Sequence, residues 1–451
     1  MLQWLLLAMG LDPGMVSIVM LWVGVLVIAG VVYCLIKQVE TRLVLLGAGF
    51  LLCFLSVKPM AAFAAFEKSM TTAGLIMTIL SVMGFAYIMK LTRCDVQLVN
   101  AMLGILSHVR MFIVPAVVLV TAFINISLSS AAGVSAAVGS IMIPLMISLG
   151  VHPAVAASAV MAGTFGSMLS PGLSHNAYMA NMMKTDVMQI IGIHYHVSAI
   201  TIIIGAVSLT LFAMMRKELS GYVPDADHSV GTLTEKPNGL LAMIPVVPVV
   251  LLVLSAWISG KGAPSWGKDV LAVIPWFKSL SVPAAMIIGS LLGLAATRTN
   301  ATVATKEFFR GMGDAYASVM GIIIAAGVFV AGMQAVGLVS ALIESLKGTT
   351  ALAKYAAAYG PFLLAIITGS GDAATLAFNG AVTPHAAQFG MGVGQMGALA
   401  TLGGALGRTM SPLAGAAIVC AGLARVNPIE IAKRNAPGMI IAVTVSMLLL
   451  G

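Results

Sequence analysis

Four short clusters of hydroxyl, glycine, proline and ionisable residues interrupt apolar stretches of the chain. They are Ser127-Leu-Ser-Ser-Ala-Ala-Gly133, Ser167-Met-Leu-Ser-Pro-Gly-Leu-Ser-His-Asn176, Thr368-Gly-Ser-Gly-Asp-Ala-Ala374 and Arg408-Thr-Met-Ser-Pro-Leu-Ala-Gly415. Residues of these types break helices. A break at membrane depth leaves N–H and C=O groups without partners, at several kcal/mol per group unless something satisfies them. Exposed N–H groups at a helix N-terminus carry a partial charge of about +0.5 and suit a carboxylate. Freed carbonyls and hydroxyls suit a small cation such as Na⁺. The chemistry on offer is therefore ion binding, and two tips facing two breaks would take an anion with two carboxylates.

On this reading Ser129, Ser130, Gly133, Ser370, Gly371, Arg408, Thr409 and Ser411 are the substrate-binding candidates. Ser127, Ser170, His175, Asn176 and Asp372 would line the site or hold a coupling cation, with Na⁺ placed near Ser129, Asn176, Asp372 and Thr409. The competing explanation for any one Ser or Gly is close helix packing, and Ser135 and Ser140 are read that way. Ionisable groups at bilayer depth are costly and point to function by default. Arg408 either meets the substrate or pairs with Asp372, and His175 is either a satisfied buried imidazole or a proton carrier. His152 and His385 stand beside Pro at helix starts, where no chemistry is expected. Gly311-Met-Gly-Asp314 and Gly369-Ser-Gly-Asp372 match the G-x-G-D of intramembrane aspartyl proteases. That reaction needs a second Asp, usually after Tyr, and the chain has no Tyr-Asp pair. No enzyme and no cofactor beyond Na⁺ is expected.

The elements that must position these clusters follow from composition. Of 451 residues, 60% are hydrophobic and 8% charged, and mean hydropathy is +1.06. Soluble domains carry about 25% charged residues, so lipid must cover much of this chain. The net charge of +8 comes from Lys and Arg scattered singly, which excludes a nucleic-acid footprint and suits topology-setting loops. The four cysteines have neither disulfide nor metal-ligand spacing. Residues 1–9 are apolar without a basic start and read as an interfacial segment. Runs of spanning length fall near 16–36, 43–57, 71–90, 155–183, 196–215, 240–259, 281–297, 315–336, 394–424 and 435–450. The stretches 112–148 and 357–388 are too short for two full spans of about 20 residues each and read as re-entrant hairpins. Residues 216–238 read as a cytoplasmic linker. With both termini outside, fourteen Lys and Arg fall inside, eight fall outside, and Arg408 stays within the membrane. This topology follows the positive-inside rule.

Five spans per half require that a duplicated half lie upside down, and the sequence carries traces of duplication. Phe165-Gly-Ser-Met-Leu-Ser-Pro171 resembles Leu406-Gly-Arg-Thr-Met-Ser-Pro412, and Phe85-Ala-Tyr-Ile-Met89 echoes Phe329-Val-Ala-Gly-Met333. Sixteen residues after Ser170 and Ser411 come the N-cap candidates Asp186 and Asn427. Inverted repeats with interrupted helices are a mark of secondary transporters. The expected architecture is an all-α polytopic membrane protein of two inverted five-helix halves, each with a hairpin and a broken helix. Its expected parts are N-terminal scaffold helices (1–70), a first transport repeat (71–191) and a scaffold helix with linker (192–238). The second half follows as scaffold helices (239–314), a second transport repeat (315–432) and a last scaffold helix (433–451).

At these residues the chain resembles the DcuC family of anaerobic four-carbon dicarboxylate carriers, within the ion-transporter superfamily. The likeness rests on Arg310-Gly-Met-Gly-Asp-Ala-Tyr316, Ala326-Gly-Val-Phe329, Thr368-Gly-Ser-Gly-Asp372, Gly407-Arg-Thr-Met-Ser-Pro412 and Ala421-Gly-Leu-Ala-Arg-Val-Asn-Pro-Ile-Glu430, with Ser129-Ser-Ala-Ala-Gly133 in the first half. The resemblance implies a homodimer in the bacterial inner membrane whose transport domain moves as an elevator against a scaffold. The chain departs from some members, which have Asn at the Asp372 position and Gly-Asp in place of His175-Asn176. It implies a secondary carrier of succinate, fumarate or malate, driven by a Na⁺ or H⁺ gradient or by exchange. The alternatives are an anion channel and a carrier of citrate or a monocarboxylate.

Overall fold

Polar caps mark where the chain enters its apolar helices. Asp12 accepts from the Gly14 N–H ahead of Pro13–Ile36, Glu40 caps Thr41–Leu55, and Asn300 caps Ala301–Ala315. An N-cap side chain satisfies one of the four N–H groups a helix start leaves without intrahelical partners. Lys184 and Arg298, in left-handed backbone conformation, end two others. The computed structural model describes residues 2–37, 39–106, 112–223, 238–259, 264–346 and 350–451. Every regular element among them is helical.

Among the described residues, seven helices are long and apolar enough to cross a bilayer, or up to nine if each of two bent pairs counts as one span. Each expected run corresponds to a helix or a helix pair. Thr41–Leu55 and Val282–Thr297, at 15 and 16 residues, are shorter than a full span of about 20. The run expected from 315 begins earlier, because Ala301–Ala315 continues through a π turn at Tyr316–Met320 into Gly321–Ala335. Most of the expected linker, 224–237, lies outside the described residues.

The chain forms two compact units. The first comprises Met1–Ile76, Ala317–Ala414 and Val443–Gly451. There Gly321–Ala335 packs on Thr41–Leu55 and Pro59–Met70, around the buried Cys53, Ala62 and Val328. Glycine sets that approach: a Cβ on Gly49 would lie 2.6 Å from the Val328 carbonyl oxygen. Thr350–Thr368 and Gly371–Ala381 pack on Val393–Thr409 in the same unit.

The second unit comprises Met77–Tyr316 and Gly415–Ala442. Pro153–Gly163 lies against Ile113–Ser127, Ala131–Ser148 and Gly415–Ala424, and all of its residues are buried. Val187–Met215 packs on Ile113–Ser127 and Ser174–Met183. The chain after Met215 docks back on the unit. Tyr222 N–H donates to Gly150 O at 3.0 Å and His152 N–H to Glu218 O at 2.9 Å. Glu218 takes two bonds from Arg434, at 2.6 and 2.9 Å, and Arg434 also meets Glu430 at 2.8 Å. The four cysteines are free.

Candidate functional site

The first tip is built in the second unit. Ile113–Ser127 ends, the chain turns through Leu128–Ser130, and Ala131–Ser148 begins. Ser130 is the N-cap, its Oγ accepting from the Gly133 N–H at 3.2 Å. A hydroxyl that accepts from the helix still has its own proton to donate. The adjacent N–H groups of Ala131 and Ala132 have no intrahelical acceptor. The tip therefore offers an anion a hydroxyl, two amides and the positive end of an 18-residue helix. Ser127 is buried just before the turn.

The first break lies beside it. Pro153–Gly163 tightens into a 3-10 stretch at Thr164–Leu169, opens at Ser170, and resumes as Ser174–Met183. Asn125, fully buried, ties tip to break: its amide donates to Leu128 O at 2.7 Å and its carbonyl accepts from the Ser167 N–H at 2.9 Å. Ser129 Oγ donates to Gly172 O at 3.4 Å. Asn176 donates to Met168 O and Ser170 O at 2.9 and 3.0 Å, bonding two carbonyls of the break. With its amide nitrogen so committed, its Oδ1 faces His194 Nε2 at 3.1 Å. That oxygen can only accept, so the proton of neutral His194 sits on Nε2, and Nδ1 accepts from Ser198 Oγ at 2.9 Å. His175 is buried at the start of the resumed helix.

The second tip and break recur in the first unit. Thr350–Thr368 ends at Gly369, whose φ of +74° suits glycine. Ser370 caps Gly371–Ala381, its Oγ accepting from the Ala373 N–H at 3.1 Å. Val393–Thr409 stops, and Ser411 Oγ donates to Ile366 O at 2.7 Å while accepting from the Leu413 N–H at 3.2 Å. Thr409 is buried and donates to Ala405 O at 2.8 Å. The half-buried Arg408 lays its stem over Gly371, where an added Cβ would lie 3.3 Å from Arg408 Cβ. The charge acting on its guanidinium is the carboxylate of Asp372.

Several contacts of the two arrangements recur at a spacing of 240–241 residues. A Cβ on Gly166 would lie 2.1 Å from Ala122 O, and one on Gly407 would lie 2.1 Å from Phe362 O. Ser129 meets Gly172 O, and Gly369 approaches Leu413 O at 2.7 Å by the same measure. Ser170 Oγ accepts from the Gly172 N–H at 3.2 Å, as Ser411 Oγ does from Leu413.

The candidates therefore fall into two groups. Ser127, Ser129, Ser130, Gly133, Ser170, His175 and Asn176 share the second unit, and Ser370, Gly371, Asp372, Arg408, Thr409 and Ser411 share the first. Asn125 and His194 were missing from the sequence reading. His194 lies inside the helix that Asp186 caps and is fully buried there. Among the described residues no group of three or more His, Cys, Asp or Glu could hold a metal ion.

Comparison with known proteins fits this geometry. The model of the DcuC family, C4-dicarboxylate anaerobic carrier, matches residues 15–451. The Escherichia coli anaerobic C4-dicarboxylate transporter DcuC is 24% identical, over 96% of each chain. An uncharacterized transporter of Haemophilus influenzae is 44% identical over 61% of this chain and 97% of its own. Among solved structures, Neisseria gonorrhoeae MtrF, of a class of antimetabolite efflux pumps, aligns with a TM-score of 0.59 at 16% identity, covering 87% of this chain and 84% of its own. The Alcanivorax borkumensis YdaH transporter aligns at 0.54 and 16%, covering 86% of each. These two likenesses establish a shared transporter fold. The family and its relatives are transporters rather than enzymes, and the polytopic helical chain described here belongs to the DcuC family of C4-dicarboxylate anaerobic carriers.

Proposed function

We propose that the protein is a secondary active transporter of small organic dianions, with four-carbon dicarboxylates such as succinate, fumarate and malate as substrates. The observation that carries this reading is the repeated serine-capped tip. Ser130 and Ser370 each cap a helix inside the chain while keeping a hydroxyl proton to donate. Two such carboxylate-binding elements match the two carboxylates of the substrate in number. Arg408 adds positive charge at the second, and Asp372 balances it. Driving the cycle is a coupling cation, Na⁺ or H⁺, for which Asp372 and Thr409 of the first unit offer oxygens, or the cycle runs by exchange.

The contacts that recur at matched spacing support two inverted repeats. We assign the moving part of an elevator to 71–191 and 315–432, and the scaffold of a homodimer to the remaining segments. The positive-inside count supports an inner-membrane protein with both termini periplasmic. The test is counterflow of labelled succinate in proteoliposomes, beside thermal shifts with organic anions with and without Na⁺. Uptake against internal succinate is the expected result. A flux with no counterflow would make the protein a channel, and stabilisation by citrate or a monocarboxylate alone would move the substrate class.

A further inference from the structure

A second place in the fold has the makings of a binding site. A cavity of about 540 Å³ in the second unit is lined by Asp186, Gln189, Ser255, Ser259, Lys278 and Ser281, with Leu252 and Leu280 on its apolar wall. Two apolar helices start at it and a third lines it. Val187–Met215 starts one residue after Asp186, Val282–Thr297 starts one residue after Ser281, and Gly239–Ser259 lines it through Leu252, Ser255 and Ser259. Where lipid-covered helices end is the level of the headgroups. Trp257, Trp266 and Trp276 are 54%, 45% and 58% exposed at the same helix ends. Tryptophan collects at that interface.

The wall chemistry is uneven. Asp186 and Lys278 put opposite charges on one cavity, and neither forms an ion pair among the described residues, with the other or with any third group. Ser259 Oγ is buried with no hydrogen-bond partner among those residues. Ser255 Oγ donates to Phe277 O at 2.6 Å and so fixes the turn that carries Lys278. Asp186 uses one oxygen to cap the next helix, at 2.7 Å from Met188 N. Two fixed charges that do not neutralise each other suit a ligand carrying both signs.

We propose that this cavity binds the headgroup of a phospholipid with a phosphate and a primary ammonium, a phosphatidylethanolamine. The phosphate would take Lys278 and the Val282 N–H, the one amide left at that helix start, since Pro283 has none and the Ala284 N–H bonds Ser281 Oγ at 3.4 Å. The ammonium would take the Asp186 carboxylate. A choline headgroup has no N–H to donate, and a glycerol headgroup has no cation, so both should bind less well. The proposal rests on membrane placement and not on the substrate.

Native mass spectrometry of the detergent-purified protein, titrated with each lipid, tests it. Phosphatidylethanolamine should bind about tenfold more tightly than phosphatidylcholine or phosphatidylglycerol, the scale of one charge-assisted hydrogen bond. Asp186→Asn keeps the helix cap and removes the charge, and Lys278→Gln removes the other. Each should abolish the preference while the thermal midpoint without lipid stays in place. Equal binding of the three lipids would overturn the proposal, as would an unchanged preference in both variants. Binding of free phosphoethanolamine as strong as that of the lipid would assign the cavity to a soluble zwitterion instead and overturn the lipid reading.

Discussion

Replacing Ser370 separates the two jobs its hydroxyl would do. The Oγ accepts from the Ala373 N–H at 3.1 Å, and losing an N-cap costs about 1 kcal/mol of stability. If the same hydroxyl donates to a substrate carboxylate, its loss removes a bond to a charged group, about 1.5–3 kcal/mol. At about 1.4 kcal/mol per tenfold, that is a roughly 10- to 150-fold weaker affinity. Ser370→Ala should show both losses. Ser370→Asp keeps a good cap but sets a negative charge where the carboxylate would lie. Its thermal midpoint should therefore stay near that of the native protein while succinate uptake falls below that of Ser370→Ala. The assays are thermal unfolding in detergent and KM for labelled succinate in proteoliposomes. Native KM in the Asp variant would refute the tip as a carboxylate site. The same pair of variants at Ser130, which caps with Gly133 N at 3.2 Å, should behave alike.

Gly407→Ala should disrupt folding more than a helix-favouring change would suggest, because its Cβ would lie 2.1 Å from the Phe362 carbonyl oxygen; a monodisperse, fully active variant would contradict the packing. Arg408→Gln and Asp372→Asn should each destabilise the protein, with the double variant recovering about 0.5–3 kcal/mol relative to their sum; strict additivity in thermal unfolding would show separate roles. Burial pushes the Glu218 carboxyl up, but the hydrogen bonds and charge of Arg434 outweigh it, so the group titrates below its usual range. The stability it contributes is thus present above the ordinary carboxylate pKa and lost as pH falls through the lowered one. Glu218→Gln should destabilise the protein near neutrality, but by less than the about 3–5 kcal/mol of an unpaired buried charge, because Arg434, 3% exposed, keeps Glu430 at 2.8 Å. It should also flatten the acid limb of the midpoint-against-pH curve, and an unchanged limb would assign that limb to other groups.

Much of this was legible because helix ends write themselves locally. Asp186 and Asn427 cap where their spacing from the two Ser-Pro pairs placed them, accepting from Met188 and Ile429 N–H groups at 2.7 and 2.9 Å. Ser130 and Ser370 cap the tips for the same reason: a hydroxyl three residues ahead of a free N–H needs no distant partner. Asn125 and His194 were not legible because their partners lie far along the chain. Asn125 meets Ser167, and His194 meets Asn176. A lone Asn in an apolar run just before a serine-rich turn was the available signal for the first. The apolar run from 315 shows only part of the helical stretch through 301–335, because Lys306, Glu307 and Arg310 lower the hydropathy of its first half. They sit on an amphipathic helix that runs into the apolar span.

The contacts of Gly163, Gly166, Gly403 and Gly407 have a bearing on how such a chain can drift. Gly166, Gly403 and Gly407 each face a backbone oxygen at 2.1–2.2 Å from where a Cβ would stand, and Gly163 faces Val118 O at 2.8 Å beside Thr121. Every residue has a carbonyl, so a glycine-to-carbonyl crossing dictates one side of the contact and leaves the other side's identity open. Ala122, Ala358 and Phe362 could be exchanged without losing the approach, whereas the opposing glycines could not. Breaks braced in this way let sequence wander around a fixed backbone geometry, so the handful of glycines, rather than overall identity, is what keeps the tips and breaks in register.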